Sequence, residues 1–191
     1  MSGGRLLLGA TPLGQPCDAS PRLVAALASA DVVAAEDTRR LHKLANALDV
    51  EIAGRVVSLF DHVEAARVPA LVAEITAGAT VLVVSDAGMP LISDPGYRLV
   101  VACIDAGVPV TCLPGPSAVI TALAVSGLPS EKFCFEGFAP RRQAAAGRGW
   151  RRWPTSDAPV CSSSRRAGWP RACATRSSSS AARVARRYAG N

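Results

Sequence analysis

The sequence predicts an α/β fold, an open and mainly parallel five-stranded sheet with helices on both faces, over residues 5–126. Three observations predict it. Five short runs of near-continuous Val, Leu, Ile or Ala recur between residues 5 and 113, and strands apolar on both faces belong to parallel sheets covered by helices. Segments of helical length separate these runs, and such strand–helix alternation marks the open α/β class. Turn residues punctuate the junctions, with Pro at helix starts and Gly at helix ends.

The elements follow in order. Arg5-Leu-Leu-Leu-Gly-Ala10 reads as a buried strand, followed by the turn Thr11-Pro-Leu-Gly14. A helix is predicted from Ser20 to Ala30; the Ser20 hydroxyl can cap its free amides, and Pro21 suits a first turn whose N–H would have no partner anyway. Val32–Ala35 is a second strand, and Glu36-Asp-Thr-Arg39 leads into a helix through Leu48. Val56–Phe60 is a third strand, and a helix from Glu64 to Ala77 ends at Gly78, a good left-handed terminator. Thr80–Val84 is the fourth strand. Asp94-Pro95 offers a cap and first-turn proline for a helix ending near Gly107. Val108–Leu113 is the fifth strand, and a helix from Pro116 to Ser126 ends at Gly127. The expected organisation is an α/β domain over 1–128, the start of a second domain over 129–142, and a tail over 143–191.

Charge divides the chain at the same place. The 191 residues carry a formal +6 at pH 7. Residues 1–140 hold nine Lys and Arg against fourteen Asp and Glu, a net of −5, whereas residues 141–191 hold twelve Arg against Asp157 alone, a net of +11. The first part contains 17 Leu; the second contains no Leu, Ile, Phe, Met, Glu or Lys. The first part can therefore bury its own core. The Arg/Ala/Ser-rich tail has too few large apolar residues to offset chain entropy and is expected to be mostly disordered. No apolar run approaches the roughly 20 residues of a membrane span, and Arg5-Leu-Leu-Leu is too short for a signal-peptide core. A cytoplasmic location with no membrane partner is expected. Six Cys without a CxxC pair or clustered His argue against a zinc site or disulfide framework, so no metal is expected. Cys103 and Cys112, in apolar stretches, read as core packing.

In open α/β sheets ligands bind beyond the carboxyl ends of the strands, which selects residues 9–16, 36–40, 85–96 and 114–118. Gly9-Ala-Thr-Pro-Leu-Gly14 either lets a ligand approach the backbone closely or is a plain tight turn. It is not GxGxxG, and no P-loop occurs. Glu36-Asp37-Thr38-Arg39-Arg40 is either a charged helix start, with Asp37 or Thr38 as cap, or a site where arginines hold phosphate and a carboxylate accepts a proton. Asp86 follows an uncharged buried strand, so its carboxylate needs hydrogen-bond partners or a cationic ligand. Asp94-Pro95-Gly96 reads as a helix start. Ser117, after Pro114-Gly-Pro, brings a hydroxyl and free N–H groups to the same edge. No Ser–His–Asp or Cys–His arrangement is evident, and His42 and His62 read as solvated. Four such turns on one edge imply a small-molecule cleft.

These loops carry a family resemblance. Leu8-Gly-Ala-Thr-Pro-Leu-Gly14, Ala35-Glu-Asp-Thr-Arg39, Val84-Ser-Asp-Ala-Gly-Met-Pro-Leu-Ile-Ser-Asp-Pro-Gly96, Pro114-Gly-Pro-Ser-Ala118, Ser126-Gly-Leu-Pro129 and Phe135-Glu-Gly-Phe-Ala-Pro140 occur in one order. Over residues 5–142 the chain resembles the ribosomal RNA small-subunit methyltransferase I family, within the tetrapyrrole (corrin/porphyrin) methylase superfamily. The resemblance implies an S-adenosylmethionine-dependent enzyme that methylates a ribose 2′-hydroxyl of a cytidine in 16S rRNA. It also implies a homodimer, with the cofactor between two α/β domains. It places cofactor contacts at Pro12, Gly14, Asp86, Ala87, Gly88, Ser117 and Ala118, and turns Glu36, Asp37 and Arg39 towards the acceptor as catalytic residues. One-step methyl transfer needs aligned reactants and no covalent nucleophile, which agrees with the missing triad. Three positions depart from the family pattern: Gln15-Pro16 for Asn-Leu, Met89 for Thr, and Asp61-His-Val-Glu-Ala65, which keeps only part of a His-Glu-x-Asn-Glu-like segment. Alternative readings are a tetrapyrrole C-methyltransferase and a non-enzymatic fragment binding nucleic acid through its basic tail.

After Arg142 the family pattern calls for a second α/β domain with a Phe-Glu-Ser-Pro strand, and this chain has Arg/Ala/Ser-rich text instead. Arg attracts phosphate, so an RNA-binding tail is one reading. A reading-frame shift near residue 143 is the sharper one: GTG-CTC-TTC-GAG-TCG-CCG encodes Val-Leu-Phe-Glu-Ser-Pro, and one base later reads Cys-Ser-Ser-Ser-Arg, as in Cys161–Arg165. On that reading Phe133–Phe135 is an orphaned strand with an open edge, and the chain binds S-adenosylmethionine weakly or not at all.

Overall fold

A computed structural model of the chain describes residues 3–138, 160–163 and 172–174. The chain forms two compact units, Met1–Ser117 and Ala118–Asn191.

In the first unit β1 (Arg5–Gly9), β2 (Val32–Ala35), β3 (Arg55–Ser58), β4 (Thr80–Val84) and β5 (Val110–Leu113) form one parallel sheet in the order β3-β2-β4-β1-β5. This is the sheet the apolar runs predict. Helices α1 (Pro21–Ser29), α2 (Thr38–Ala47), α3 (Asp61–Thr76) and α4 (Tyr97–Asp105) connect the strands. Successive strand residues point to opposite faces, so each central strand supplies two apolar layers. Leu6, Val81 and Val83 pack with Leu71 and Ile75 of α3 and with Leu99 and Cys103 of α4. Leu7, Val33, Leu82 and Val84 pack with Leu23 and Leu27 of α1 and Leu41 of α2. Each fully buried Leu contributes roughly 1.5–3 kcal/mol relative to exposure; Leu6, Leu23, Leu27, Leu82 and Leu99 are all 0% exposed.

Helix ends set the geometry of the loops. The Ser20 Oγ accepts the Leu23 amide at 3.1 Å with Pro21 in the first turn, as predicted. Asp37 caps α2 by accepting the Arg39 amide at 2.9 Å. Gly78 ends α3 with φ +112°. The start of α4 differs from the expectation: Asp94 is not its cap. The helix begins at Tyr97, behind Gly96, which has no side chain to offer. Its acceptor comes from another helix. Glu64 of α3, 4% exposed, accepts the amides of Gly96 (3.2 Å), Arg98 (2.8 Å) and Leu99 (3.3 Å) through Oε1. Cys103 is in the core as expected, whereas Cys112 is exposed: it lies on β5, at the edge of the sheet, where Thr111 and Cys112 are open on both faces.

In the second unit α5 (Ala118–Ser126) packs Val119 and Leu123 against Leu128 and Phe135. Strands β6 (Cys134–Phe138), β7 (Val160–Ser163) and β8 (Ala172–Ala174) form a small sheet, β6–β7 parallel and β7–β8 antiparallel. The strand containing Phe135 is therefore not orphaned: Cys134 and Phe135 pair with Val160 and Cys161. An open edge is a row of unpaired N–H and C=O groups that a compatible segment can satisfy, and residues 160–163 do so. The rest of the predicted tail lies outside the described residues. Among the described residues no helix is long and apolar enough to cross a membrane.

Candidate functional site

Three of the four selected loops converge at the carboxyl edge of the sheet. The first and third are stitched together. Thr11 and Gly88 exchange both backbone hydrogen bonds, at 2.9 and 3.0 Å, as an isolated antiparallel bridge. The Thr11 hydroxyl, only 2% exposed, donates to the Ser85 carbonyl at 3.1 Å, and the Ser85 hydroxyl donates to the Gly88 carbonyl at 3.1 Å. Gly88 holds φ +85°, a conformation in which a Cβ is costly. Leu91 (φ +72°) and Ser93 (φ +67°) hold left-handed geometry without being glycine. Strain of this kind persists only where the surroundings enforce it and clusters at binding sites.

The second and third loops exchange carboxylate caps. The Asp86 Oδ1 accepts the Asp37 amide at 3.1 Å, and the Glu36 Oε2 accepts the Asp86 amide at 3.3 Å. The other Asp86 oxygen pairs with Arg40 Nη1 at 3.2 Å. Asp86 thus has the hydrogen-bond partners its strand-mouth position demanded. Burial raises the Glu36 carboxyl above its ordinary range, and the charge of Asp86 adds to the shift. Burial likewise raises Asp86, while Arg40 works in the opposite direction. Asp94 rises to about 7, first through burial and then through the charge of Glu36, with a hydrogen bond from Ser85 opposing. Asp37 is lowered, chiefly by the Arg39 amide it accepts.

A cavity of about 440 Å³ opens beside these contacts. Its lining includes Pro12, Gly14 and Asp86, Asp37 at the N-cap of α2, Arg40 and Lys43 on α2, and the apolar Ala35 and Val84. Small-ligand pockets have this volume and this mixture of apolar lining and few polar groups. The structure therefore gathers Pro12, Gly14, Asp86 and Asp37 at one cavity. Glu36 and Gly88 stand behind it as braces, and Ala87 continues the same loop outside the lining. Arg39 is not in the lining: its side chain is 91% exposed and pairs with Asp37 at 3.5 Å. Ser117 ends the first unit after β5, outside the lining, and Ala118 opens α5 in the second unit. His42 and His62 are exposed, as expected. Sequence reasoning missed Thr11, Asp94 and the capping role of Glu64. A Thr after a strand carries no special signal, and the other two depend on contacts between distant segments. Among the described residues no group of three or more His, Cys, Asp or Glu is arranged to hold a metal ion.

Fold and site together define an open α/β domain with a cavity at its strand-exit edge. The family model described as Tetrapyrrole (Corrin/Porphyrin) Methylases matches residues 6–169, beyond the last shared motif, and the chain belongs to that family. It is 79% identical over 150 residues to the ribosomal RNA small subunit methyltransferase I of Mycobacterium tuberculosis (strain CDC 1551 / Oshkosh), covering 78% of this chain and 52% of that protein. The chain spans about half the length of the curated relatives it matches. Among solved structures, a uroporphyrin-III-C-methyltransferase from Thermus thermophilus superposes with a TM-score of 0.56 at 20% identity, over 83% of this chain and 67% of the other. A Thermus thermophilus uroporphyrin-III C-methyl transferase complexed with S-adenyl homocysteine gives 0.50 at 23% identity, over 70% and 55%. At these identities the likeness is one of fold.

Proposed function

We propose that the chain carries the cofactor and acceptor loops of an S-adenosylmethionine-dependent rRNA methyltransferase, acting on the ribose 2′-hydroxyl of a cytidine in 16S rRNA. One observation carries the reading: the expected cofactor residues Pro12, Gly14 and Asp86 and the expected acceptor residue Asp37 line a single cavity. Methyl transfer requires the two reactants to meet within about 3–3.5 Å, and a shared cavity is the structural form of that requirement. The 79% identity to a protein named for small-subunit rRNA supports the substrate class.

The residues present fit the cofactor. When bound, S-adenosylmethionine supplies an electrophilic methyl on a sulfonium cation. The carboxylates of Glu36 and Asp86 meet at the loop junction with Arg40 as their shared cation, and Asp94 is close enough to feel both charges; a cationic ligand there would favour their ionised forms. Gly14, with φ +150° and open space where a Cβ would stand, leaves the backbone accessible. Ala87, Gly88 and Ser117 belong to the same strand-exit edge. On the acceptor side, Asp37 is kept in its carboxylate form by its amide contacts and can accept a hydrogen bond from the acceptor hydroxyl. Glu36 fixes the loop, and Arg39, exposed beside Asp37, can meet a phosphate. A cytoplasmic site of action and homodimeric assembly belong to the same reading.

The test is transfer of labelled methyl from S-adenosylmethionine to isolated small ribosomal subunits, with amide shifts of Thr11, Leu13, Gly14 and residues 85–88 on adding S-adenosylhomocysteine. Labelling of the small-subunit RNA together with those shifts is the expected result, against the weak or absent cofactor binding that a shifted reading frame implies. Transfer to a tetrapyrrole alone would overturn the substrate, and salt-sensitive RNA binding with neither shift nor transfer would overturn the enzymatic reading.

A further inference from the structure

We propose that Lys43 binds a backbone phosphate of the RNA acceptor and so fixes the direction in which the strand lies along α2; this rests on the rRNA reading above. The cavity wall on α2 carries Asp37, Arg40 and Lys43. Residues three apart on a helix share a face and are separated by about 4.5 Å along its axis. Two of the three cations on this helix are already occupied: Arg39 pairs with Asp37 at 3.5 Å, and Arg40 pairs with Asp86 at 3.2 Å. Lys43, exposed and lining the cavity, has no ion pair among the described residues.

The charges along the wall are therefore ordered. Its sheet-proximal end holds the carboxylates of Asp37 and Asp86, with Glu36 behind them; Arg40 pairs with Asp86, and Arg39 pairs with Asp37 from outside the lining. Among the described residues, that end offers a phosphate inside the cavity no unpaired cation. One turn farther out, Lys43 presents an uncompensated ammonium beside the apolar Leu44 and Ala47. A nucleotide that puts its ribose hydroxyl near Asp37 can place a flanking phosphate about 9 Å along the axis, at the height of Lys43, six residues on. Lys suits this role as a point charge on a flexible stem, able to follow the phosphate without bidentate geometry. The first 140 residues carry a net of −5, so this stretch as a whole does not attract RNA, and a local cation must supply the contact.

The test titrates the isotope-labelled 191-residue chain with cytidine monophosphate, with cytidine, and with S-adenosylhomocysteine, reading the amides of residues 40–47 so that binding by the Arg-rich stretch is observed separately. Cytidine monophosphate is expected to shift those amides. Lys43→Ala should weaken it about two- to fivefold at low salt, as an exposed charge pair does, and leave cytidine unchanged; Lys43→Arg should restore the affinity. An unchanged affinity in Lys43→Ala, or no shift on α2, overturns the assignment. Weakening of S-adenosylhomocysteine instead also overturns it, by giving Lys43 to the cofactor carboxylate. Methyl transfer to small subunits by the unsubstituted chain decides the underlying reading independently: transfer with a silent Lys43→Ala sinks only the phosphate contact.

Discussion

Glu64→Ala should be among the most damaging single substitutions in the first unit, although the residue lines no cavity. The first amides of α4 lack intrahelical partners, Gly96 supplies no capping side chain, and Glu64 Oε1 takes three of them at 2.8–3.3 Å. Leaving one buried donor unsatisfied costs about 1–3 kcal/mol. The amides of Gly96 and Leu99 are in buried surroundings, whereas that of Arg98 is half-buried and open to solvent replacement. Losing a carboxylate at the positive end of a helix adds about 0.3–1 kcal/mol. The expected loss is about 3–4 kcal/mol, a large share of the 5–15 kcal/mol that holds a typical domain folded. Glu64→Gln keeps a carbonyl acceptor but no charge and should lose only about 1–2 kcal/mol. Urea unfolding followed by far-ultraviolet circular dichroism, with amide exchange at Arg98 and Leu99, measures both. A loss below 1 kcal/mol in Glu64→Ala, or equal losses in the two variants, would refute the argument that the acceptor oxygen matters more than the filled volume.

Other outcomes follow from the same geometry. Asp94 has a folded pKa of about 7 against an ordinary 3.8, so the folded state binds the extra proton and stability falls as pH rises from 4 through 7. Asp94→Asn should flatten that slope and stabilise the chain at pH 8 more than at pH 4, read as unfolding midpoints; a steeper slope would refute it. Thr11→Val keeps the shape but removes the buried donor to Ser85, and should lose about 1–2 kcal/mol with faster amide exchange at Gly88. Arg40→Ala removes an exposed pair and should cost under about 1 kcal/mol; it should also move the Asp86 titration upward, because Arg40 is the cation that holds it down.

The strands were legible because each is a short run of Val, Leu or Ala bounded by turn residues, a pattern that depends only on neighbours in sequence. β2 and β4 agree with it to the residue. The caps from Ser20 and Asp37 were legible for the same reason. What escaped depends on distant partners. Asp94-Pro95 has the local form of a helix start, but Glu64 won because its carboxylate reaches three amides from the facing helix. Cys112 looked like core because its neighbours are apolar, and only the sheet order shows that β5 is an edge. In the site, Asp86 and Asp37 were found from their place after buried strands. The exchange of caps between Glu36 and Asp86, and the Thr11–Gly88 bridge, come from β1, β2 and β4 lying side by side.

That strand order also dictates when the sheet can exist. β1 is made first but lies between β4 and β5, with Leu7 opposite Leu82 and Thr111. Until β4 has been synthesised, β1 has neither neighbour. At 5–20 residues per second the wait is roughly 4–15 s. During that interval a strand of three consecutive leucines must be kept from other partners while only β2 and β3, which are adjacent in the sheet, can pair. The centre of the sheet thus closes only once β4 can enter between β2 and β1. The nascent chain's exposure to chaperones and to misassembly is set by the position of β4 in the message rather than by the length of β1.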